Sequence, residues 1–232
     1  MMRARAFPED RAHALARMAC RGTFEAHMTV DAGPERRAEL VALCERIGVR
    51  CVLIELATGR TPSQPMTAAY HRGELASVMN EVESHHEALV EGGFSVIRVK
   101  LEAVATNEGV PISDEEAASF PDAYFEFHAK LRLAELTSSL DALRTLCLAH
   151  GAHLSHNDRK VDVERGSRDR FVTLRVRKSG RARAAAAFEA LVVVLKEASY
   201  EVVGVKREFT VYDSRAALDA GWLEPSSTRA GP

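Results

Sequence analysis

The 232-residue sequence has little of what marks several large classes of protein. Its 14 glycines form no phosphate-loop motif, and its four cysteines show neither a C-x-x-C pair nor zinc-ligand spacing. The formal net charge of -2 gives no overall basic field, and no strong indication of nucleic-acid binding. No apolar run approaches the roughly 20 residues that span a bilayer. We therefore predict no cofactor, no metal site and no membrane partner.

The N-terminus also lacks a secretory signal. Arg3, Arg5 and Arg11 are not followed by an apolar segment of the kind that a signal peptide needs. Cys44 and Cys147 each lie in the apolar stripe of a predicted helix, where a cysteine behaves as a small buried hydrophobe. Reduced cysteines fit the cytoplasm, so we expect a cytoplasmic location.

What the sequence does contain is a short motif that occurs twice. Phe-Glu-x-His stands at residues 24–27 and again at 125–128, and each copy opens a run of alternating apolar and polar residues. Successive side chains of a strand point to opposite faces of the sheet. Each run is therefore a strand with one apolar face and one face that carries a glutamate beside a histidine.

The elements around the two motifs follow one another in the same order: strand, helix, strand, strand, helix, strand. The pattern L-x-x-L-C-x-x-x-G occurs at 40–48 and 143–151, and Val-Lys occurs at 99–100 and 205–206. This order is the ferredoxin-like βαββαβ unit. The predicted fold is α+β, a tandem duplication of that unit with two antiparallel sheets and helices on one face of each.

Breaks in the pattern set the expected boundaries. Residues 105–122, rich in turn-forming residues, read as a linker between two lobes. The prediction is an N-terminal arm at 1–22, a first ferredoxin-like lobe at 23–104, a linker at 105–122, a second ferredoxin-like lobe at 123–213 and a C-terminal tail at 214–232.

Alternation in the third strand of the first lobe predicts which of its side chains face the helices. Met66, Ala68 and Tyr70 are apolar and alternate, so we expect them in the core. Thr67 and His71 would then lie on the open face, with Thr67 matching Thr173 of the second lobe.

The open faces are expected to form the functional site. Each gathers a glutamate, a histidine, a threonine and a lysine, with extra arginine in the second lobe. Histidine titrates near neutral pH and suits acid–base chemistry, so His27 and His128 are the candidate catalytic residues. The alternative interpretation is a solvated sheet face. The candidate substrate-binding residues are Glu25, Thr29, Thr67, His71, Arg72, Lys100, Glu126, Lys130, Thr173, Arg175 and Lys206.

The segment His71-Arg72-Gly73 is a candidate anion site for an additional reason. Gly73 precedes a predicted helix, whose first N–H groups could meet an anion beside the charge of Arg72. An ordinary helix entry after a hairpin loop explains the same residues equally well.

His27-Met28-Thr29-Val30 resembles the H-h-T-h motif of the bilobal two-histidine phosphoesterases. The resemblance implies that His27 and His128 act as general base and general acid on a phosphodiester, and that Thr29 holds a phosphate oxygen. The second motif departs from the family pattern, because Lys130 stands where serine or threonine belongs. Lysine can still hold a phosphate as a point charge.

The strand from Glu126 to Arg132 also resembles the E-x-E-x-K strand of triphosphate tunnel enzymes, with His128 in place of the second glutamate. Those enzymes have more acidic metal ligands and a longer chain after the motif. This resemblance therefore ranks second.

Two classes of function follow. The first is a phosphoester-handling enzyme, a metal-independent phosphodiesterase-like hydrolase with a paired-histidine site between the lobes. The second is a non-catalytic module that binds an anion or another protein. In both classes the expected partner is a small anionic ligand, which is phosphorylated in the leading hypothesis. Assembly into a homo-oligomer is a further possibility in both classes. An open polar cleft favours the enzyme, whereas sheets closed by Phe or Leu side chains favour the module.

Overall fold

The computed structural model describes residues 6–9, 12, 15, 18–56, 61–134, 140–157, 161–162 and 167–220. The strands within these ranges are β1 (Arg21–Asp31), β2 (Arg50–Leu56), β3 (Ser63–Glu74), β4 (Ser95–Val104), β5 (Tyr124–Ala134), β6 (Ala152–Asn157), β7 (Val161–Asp162), β8 (Ser167–Arg177) and β9 (Glu201–Asp213). The helices are α1 (Arg37–Arg46), α2 (Leu75–Glu91), α3 (Asp114–Ala117), α4 (Leu140–Ala149) and α5 (Arg181–Glu197), with 3-10 turns at Pro34–Arg36 and Ala216–Asp219.

Eight antiparallel strands close into one barrel. In the first half β1 lies between β3 and β4, and in the second half β5 lies between β8 and β9. This is the strand order expected for a ferredoxin-like unit. The halves join through β2 with β6 and β4 with β9, and the short β7 pairs with β8.

Closure corrects the expectation of two separate sheets. An isolated four-stranded sheet would leave unpaired N–H and C=O groups along its edge strands. Here the edge strands of one half pair with those of the other, so the α+β antiparallel fold is confirmed but forms a single continuous sheet.

The helices cover the outside of the barrel, and the hydrophobic core lies between the two layers. The apolar side of β1 enters this core through Phe24, Ala26 and Met28, each at most 1% exposed. Helix α2 meets it with a buried stripe that includes Val78 and Val82. Full burial of one such large side chain is worth about 1.5–3 kcal/mol. This packing turns the polar side of each strand toward the barrel interior.

The register of β3 corrects one part of the sequence interpretation. His27 of β1 pairs with Ala68, not with Thr67. Met66, Ala68 and Tyr70 therefore face the interior, and Thr67 and His71 lie on the helix side of the sheet.

His71 shows the physical reason for this register. Its Nδ1 lies 2.6 Å from Oε2 of Glu81 on α2, and its ring centroid lies 5.5 Å from that of His85. A polar pair thus occupies a helix-facing position that hydrophobic alternation assigns to the other face. The side chains of His71 and Thr67 therefore lie outside the interior site that the sequence predicted for them.

The predicted linker and the predicted C-terminal tail both contain regular structure. The predicted linker contains α3, whose capping box joins Ser113 and Glu116. The predicted tail begins with the 3-10 turn Ala216–Asp219, which buries Leu218 and Asp219. Within the described ranges, no helix is long and apolar enough to cross a membrane.

Candidate functional site

A cavity of about 860 Å³ occupies the barrel interior, opens to solvent and extends to helix α1, where Val41 and Cys44 line it. Side chains of both halves line it, and most of the charged ones are buried. Those on strands β1, β4, β5 and β9 stand at alternate positions, as the strand alternation predicts, and Asp219 comes from the 3-10 turn after β9. The charged and histidine side chains lining it include Glu25, His27, Arg98, Lys100, Glu102, Glu126, His128, Lys130, Lys206 and Asp219.

Two lysines connect the halves across the cavity. Lys100 of the first half places Nζ 2.5 Å from Oε1 of Glu126 in the second half. Lys206 of the second half forms the reciprocal ion pair with Glu25 of the first. Each lysine also reaches a glutamate of its own strand, Glu102 at 2.7 Å and Glu208 at 2.8 Å. The site is therefore one network rather than two separate open faces.

Glu126 is a buried carboxylate that two cations bind. Arg175 donates to its Oε2 from Nε at 2.8 Å, while Lys100 donates to Oε1. Burial alone would raise the pKa of Glu126, but the charges of Arg175 and Lys100 outweigh it and hold the pKa well below its ordinary value. Glu126 is therefore ionised at neutral pH.

Glu25 is the corresponding carboxylate of the first half, with more solvent-accessible partners. Arg50 donates to its Oε1 from Nη2 at 2.9 Å, and Lys206 donates to Oε2. Burial opposes ionisation, but His27 and Lys206 outweigh it and lower the pKa of Glu25. The ring of Tyr70 lies beside both cations, 5.3 Å from the Arg50 guanidinium carbon and 5.8 Å from Lys206 Nζ.

His27 faces two carboxylates. Its Nε2 lies 3.3 Å from Oε2 of Glu102 and 3.8 Å from Oε1 of Glu25. Its Nδ1 lies 3.2 Å from the backbone oxygen of Thr67, and because a carbonyl oxygen only accepts, Nδ1 is the donor. Nε2 is therefore the ring nitrogen that faces the carboxylates of Glu102 and Glu25.

His128 occupies the matching position in the second half. Its Nδ1 lies 3.0 Å from Oγ1 of Thr173, and its Nε2 lies 3.5 Å from Oε1 of Glu126 and 3.8 Å from Oε2 of Glu208. Burial lowers the pKa of His128 to about 4, so the imidazole is uncharged at neutral pH.

Glu208 is the buried acid next to that imidazole. Burial, followed by the nearby charge of Glu102, raises the pKa of Glu208 well above its ordinary value. Its Oε2 has no hydrogen-bond partner among the described residues. The His128 copy of the motif thus holds a neutral base beside a carboxyl group that retains its proton more readily than usual.

A second cluster lies at one end of the cavity. Arg98 binds both oxygens of Asp213, at 2.9 and 2.7 Å, and both oxygens of Asp219, each at 2.9 Å. The hydroxyl of Tyr124 donates to Asp213 at 2.6 Å. Arg175 joins this cluster to the network around Glu126 through its own bond to Asp219, also at 2.9 Å.

The structure places the remaining predicted residues as follows. Thr29 and Thr173 line the cavity and are buried. Lys130 lines it as well, with Nζ 2.6 Å from Oδ2 of Asp169. Arg72 is exposed at the end of β3, opposite Thr23, and does not line the cavity.

Several interior residues were absent from the predicted site. Arg98 and Glu102 stand two positions from Lys100, and Glu208 stands two positions from Lys206, so strand alternation indicates their inward orientation. Asp219 had no such signal, because it follows the last strand in a segment of small and polar residues.

Metal coordination has no candidate in the described ranges, since no group of three or more His, Cys, Asp or Glu side chains there is arranged to hold an ion. The acids of the interior are paired with lysine, arginine or histidine instead. The arrangement places lysine and arginine side chains, each paired with a carboxylate, around a cavity that the uncharged imidazole of His128 also lines.

Comparison with known proteins adds two distant structural similarities. No family model matches the chain, and no curated protein matches it. The small subunit of acetolactate synthase from Thermotoga maritima is 15% identical with a TM-score of 0.31, over 82% of this chain and 95% of that one. The ligand-free regulatory subunit of aspartate kinase from Thermus thermophilus is 14% identical with a TM-score of 0.31, over 73% and 90%. Similarity this low carries no argument about function.

Proposed function

We propose that the barrel interior binds a small molecule that carries a phosphate group or a comparable compact anion. The observation that supports this proposal is the cavity of about 860 Å³ with lysine and arginine side chains in its wall. Cavities of this size accommodate small-molecule ligands, and convergent charged groups fix their orientation.

The energetics of buried charge give a physical reason for a ligand. A buried ion pair is commonly no more stabilising than apolar residues of the same volume, since both charges lose their hydration. Lys100, Glu102 and Glu126 are all buried, yet they surround a cavity rather than a packed core. A binding role accounts for these charges where stability alone does not.

The closed interior also bears on the two family resemblances. The two-histidine resemblance calls for a cleft between lobes, whereas His27 and His128 lie inside one ring of strands. We therefore propose that the resemblance of the Glu126 strand to triphosphate tunnel enzymes is the better guide to the ligand. We also propose that the two halves arose by tandem duplication, with the domain boundaries predicted from the sequence.

A thermal-shift screen over nucleotides, pyrophosphate and phosphorylated metabolites tests the proposal. A ligand at about 100 times its Kd adds about 2.7 kcal/mol of stability. Lys130→Met removes a cavity charge and should weaken the response, whereas Lys196→Met removes an exposed charge from α5 and should not. The proposal fails if no anion stabilises the wild type, or if both variants respond equally.

Phosphoester hydrolysis is the second candidate function. It is favoured by the neutral imidazole of His128, whose Nδ1 is held by Thr173. The test is release of p-nitrophenol from bis(p-nitrophenyl) phosphate. His27→Ala and His128→Ala should each lower the rate by about 10²–10⁴ if the two act together, and the double variant should lose little more. Absence of turnover by the wild type in this assay and on the phosphoester ligands of the screen would leave the binding function alone.

A further inference from the structure

The described part of the C-terminal segment sends one carboxylate into the barrel. Asp219 ends the 3-10 turn that follows β9, and it is 4% exposed and lines the cavity. The sequence alone assigned this segment to a tail outside the fold. Its entry into the interior therefore calls for a separate explanation.

Three strands supply the groups that hold this carboxylate. Arg98 of β4 donates to both of its oxygens at 2.9 Å, Arg175 of β8 donates to Oδ2 at 2.9 Å, and the Gln64 amide of β3 donates to Oδ1 at 3.3 Å. The arginine fork matches a group with two oxygens bidentately. These residues form a cradle for a compact anion, and the cradle is defined by Arg98, Arg175 and Gln64.

Asp219 differs from the other acids in contact with these arginines. Glu126 lies within β5, and Asp213 is the last residue of β9, so strand pairing fixes both. Asp219 lies six residues beyond the end of β9, outside the barrel sheet. It can leave the cradle without breaking a strand pair.

The attachment of the segment places a hinge close to the sheet. Ser214 is bonded to Val99 twice, through its backbone N–H and its hydroxyl, at 2.9 and 2.8 Å. After Ser214, the backbone N–H of Arg215 donates to Oδ1 of Asp213 at 3.1 Å, and the backbone N–H groups of Leu218 and Ala220 donate to Arg215 and Ala217 of the segment itself. Rotation after Ser214 would therefore withdraw Asp219 and expose the apolar side chain of Leu218.

We propose that the cradle is the subsite for the anionic group of the ligand, and that Asp219 fills it until the ligand displaces it. The inference rests on the proposed function and adds where the anion binds and what competes with it. The chemistry of the cradle suits a phosphate or a carboxylate. Both offer two oxygens to the fork of Arg98.

Calorimetric titration of the full chain with inorganic pyrophosphate tests the inference. Asp219→Ala should bind pyrophosphate at least tenfold more tightly than the wild type, because the internal competitor is gone. Asp141→Asn is the matched control, since it removes one negative charge from an exposed site on α4 and should leave the affinity unchanged. Malonate, titrated in parallel, shows whether a carboxylate ligand gains as much as a phosphate.

Hydrogen exchange of the wild type provides a second measurement that needs no variant. Saturating pyrophosphate should accelerate exchange of the amides in residues 215–220 while leaving β4 protected. If the wild type binds pyrophosphate but Asp219→Ala binds it no more tightly, the displacement of Asp219 is wrong and the proposed function stands. If Asp219→Ala does not fold, unchanged exchange in the ligand-bound wild type overturns the inference. If neither protein binds any anion, the proposed function itself fails.

Discussion

The two copies of the Glu-His motif share their residues but differ in how much water reaches them. The partners of Glu126 are Lys100 and Arg175, whose side chains are 10% and 9% exposed. The partners of Glu25 are Arg50 and Lys206, at 58% and 37%. The cations around Glu126 are therefore shielded from solvent and those around Glu25 are not, and in this sense the Glu126 copy is the dry copy and the Glu25 copy the open one. Both glutamates are 3% exposed, and the histidines do not follow the contrast, since the side chain of His27 is 18% exposed and that of His128 is 24% exposed.

Single positions account for this difference. The register places Arg175 opposite Glu126, but Tyr70 opposite Glu25. Arg98 lies opposite Thr29, whereas Gly204 lies opposite Lys130 at the related place in the second half. Arg175 therefore adds a guanidinium group beside Glu126, and it also connects Glu126 to the cluster of Arg98 and Asp219. We infer that the Glu126 side is the part of the cavity specialised for an anion.

Neutralising the two glutamates is the strongest way to separate the copies. Glu126→Gln leaves Lys100 and Arg175 buried without their shared carboxylate, which should cost about 3–5 kcal/mol of unfolding free energy. Glu25→Gln should cost about 1–2 kcal/mol, because Arg50 and Lys206 already reach solvent. Urea denaturation of both variants measures the difference.

Equal losses in the two variants would show that solvent reaches both copies alike. Glu189→Gln serves as the control, since it breaks an exposed ion pair with Arg207 on the outside of the barrel. That change should stay within about 1 kcal/mol of the wild type.

Acid should reveal the dry copy through His128. The pKa of His128 is about 4 in the folded protein and near 6.5 in the unfolded chain. Between these two pH values the unfolded chain therefore binds a proton that the folded protein does not. Its contribution to stability is complete above pH 6.5 and is lost as the pH falls toward 4. The loss of unfolding free energy should be about 2–3 kcal/mol. This is less than the full pKa difference would give, because the His128 side chain is 24% exposed and solvent weakens the effect of burial.

Thermal unfolding between pH 4 and 7 measures this effect. The stability of His128→Gln should fall less steeply over that range than the stability of the wild type. Parallel curves would mean that the imidazole is as hydrated in the folded protein as in the unfolded one. His27→Gln, followed over the same pH range, is the matched variant. The difference between the two variants gives the share of the pH dependence that belongs to His128.

The smallest effect on stability is expected at Arg50, the more exposed of the two cations that bind Glu25. Arg50→Met removes the ion pair with Glu25 but leaves Lys206 in place, so it should change stability by about 1 kcal/mol or less. Arg175→Met removes a buried partner of both Glu126 and Asp219 and should cost several times more. A larger loss at Arg50, measured by urea denaturation, would reverse the assignment of dry and open copies.

The sequence predicts the element order and the inward face of most strands, because hydrophobic alternation records which side packs under helices. It fails at β3, where Met66, Ala68 and Tyr70 look like core residues but face the cavity. Apolar residues at the open mouth of a barrel interior follow the same period as core residues, and periodicity alone does not tell them apart.

Closure of the barrel had no local sequence signal. It depends on pairing between β4 and β9 and between β2 and β6, strands that lie in different halves of the chain. Asp219 escaped prediction for a similar reason, since its partners Arg98, Arg175 and Gln64 are each more than 40 residues away along the chain. Long-range contacts of this kind appear only when the strands are assembled.

The most decisive measurement of anion binding in the barrel is a crystal structure of the protein grown with pyrophosphate. We expect an anion inside the closed ring of strands, within hydrogen-bonding distance of Arg98 and Arg175, with the Asp219 carboxylate withdrawn. Pyrophosphate bound on the outer surface, with the interior ion pairs unchanged, would contradict it.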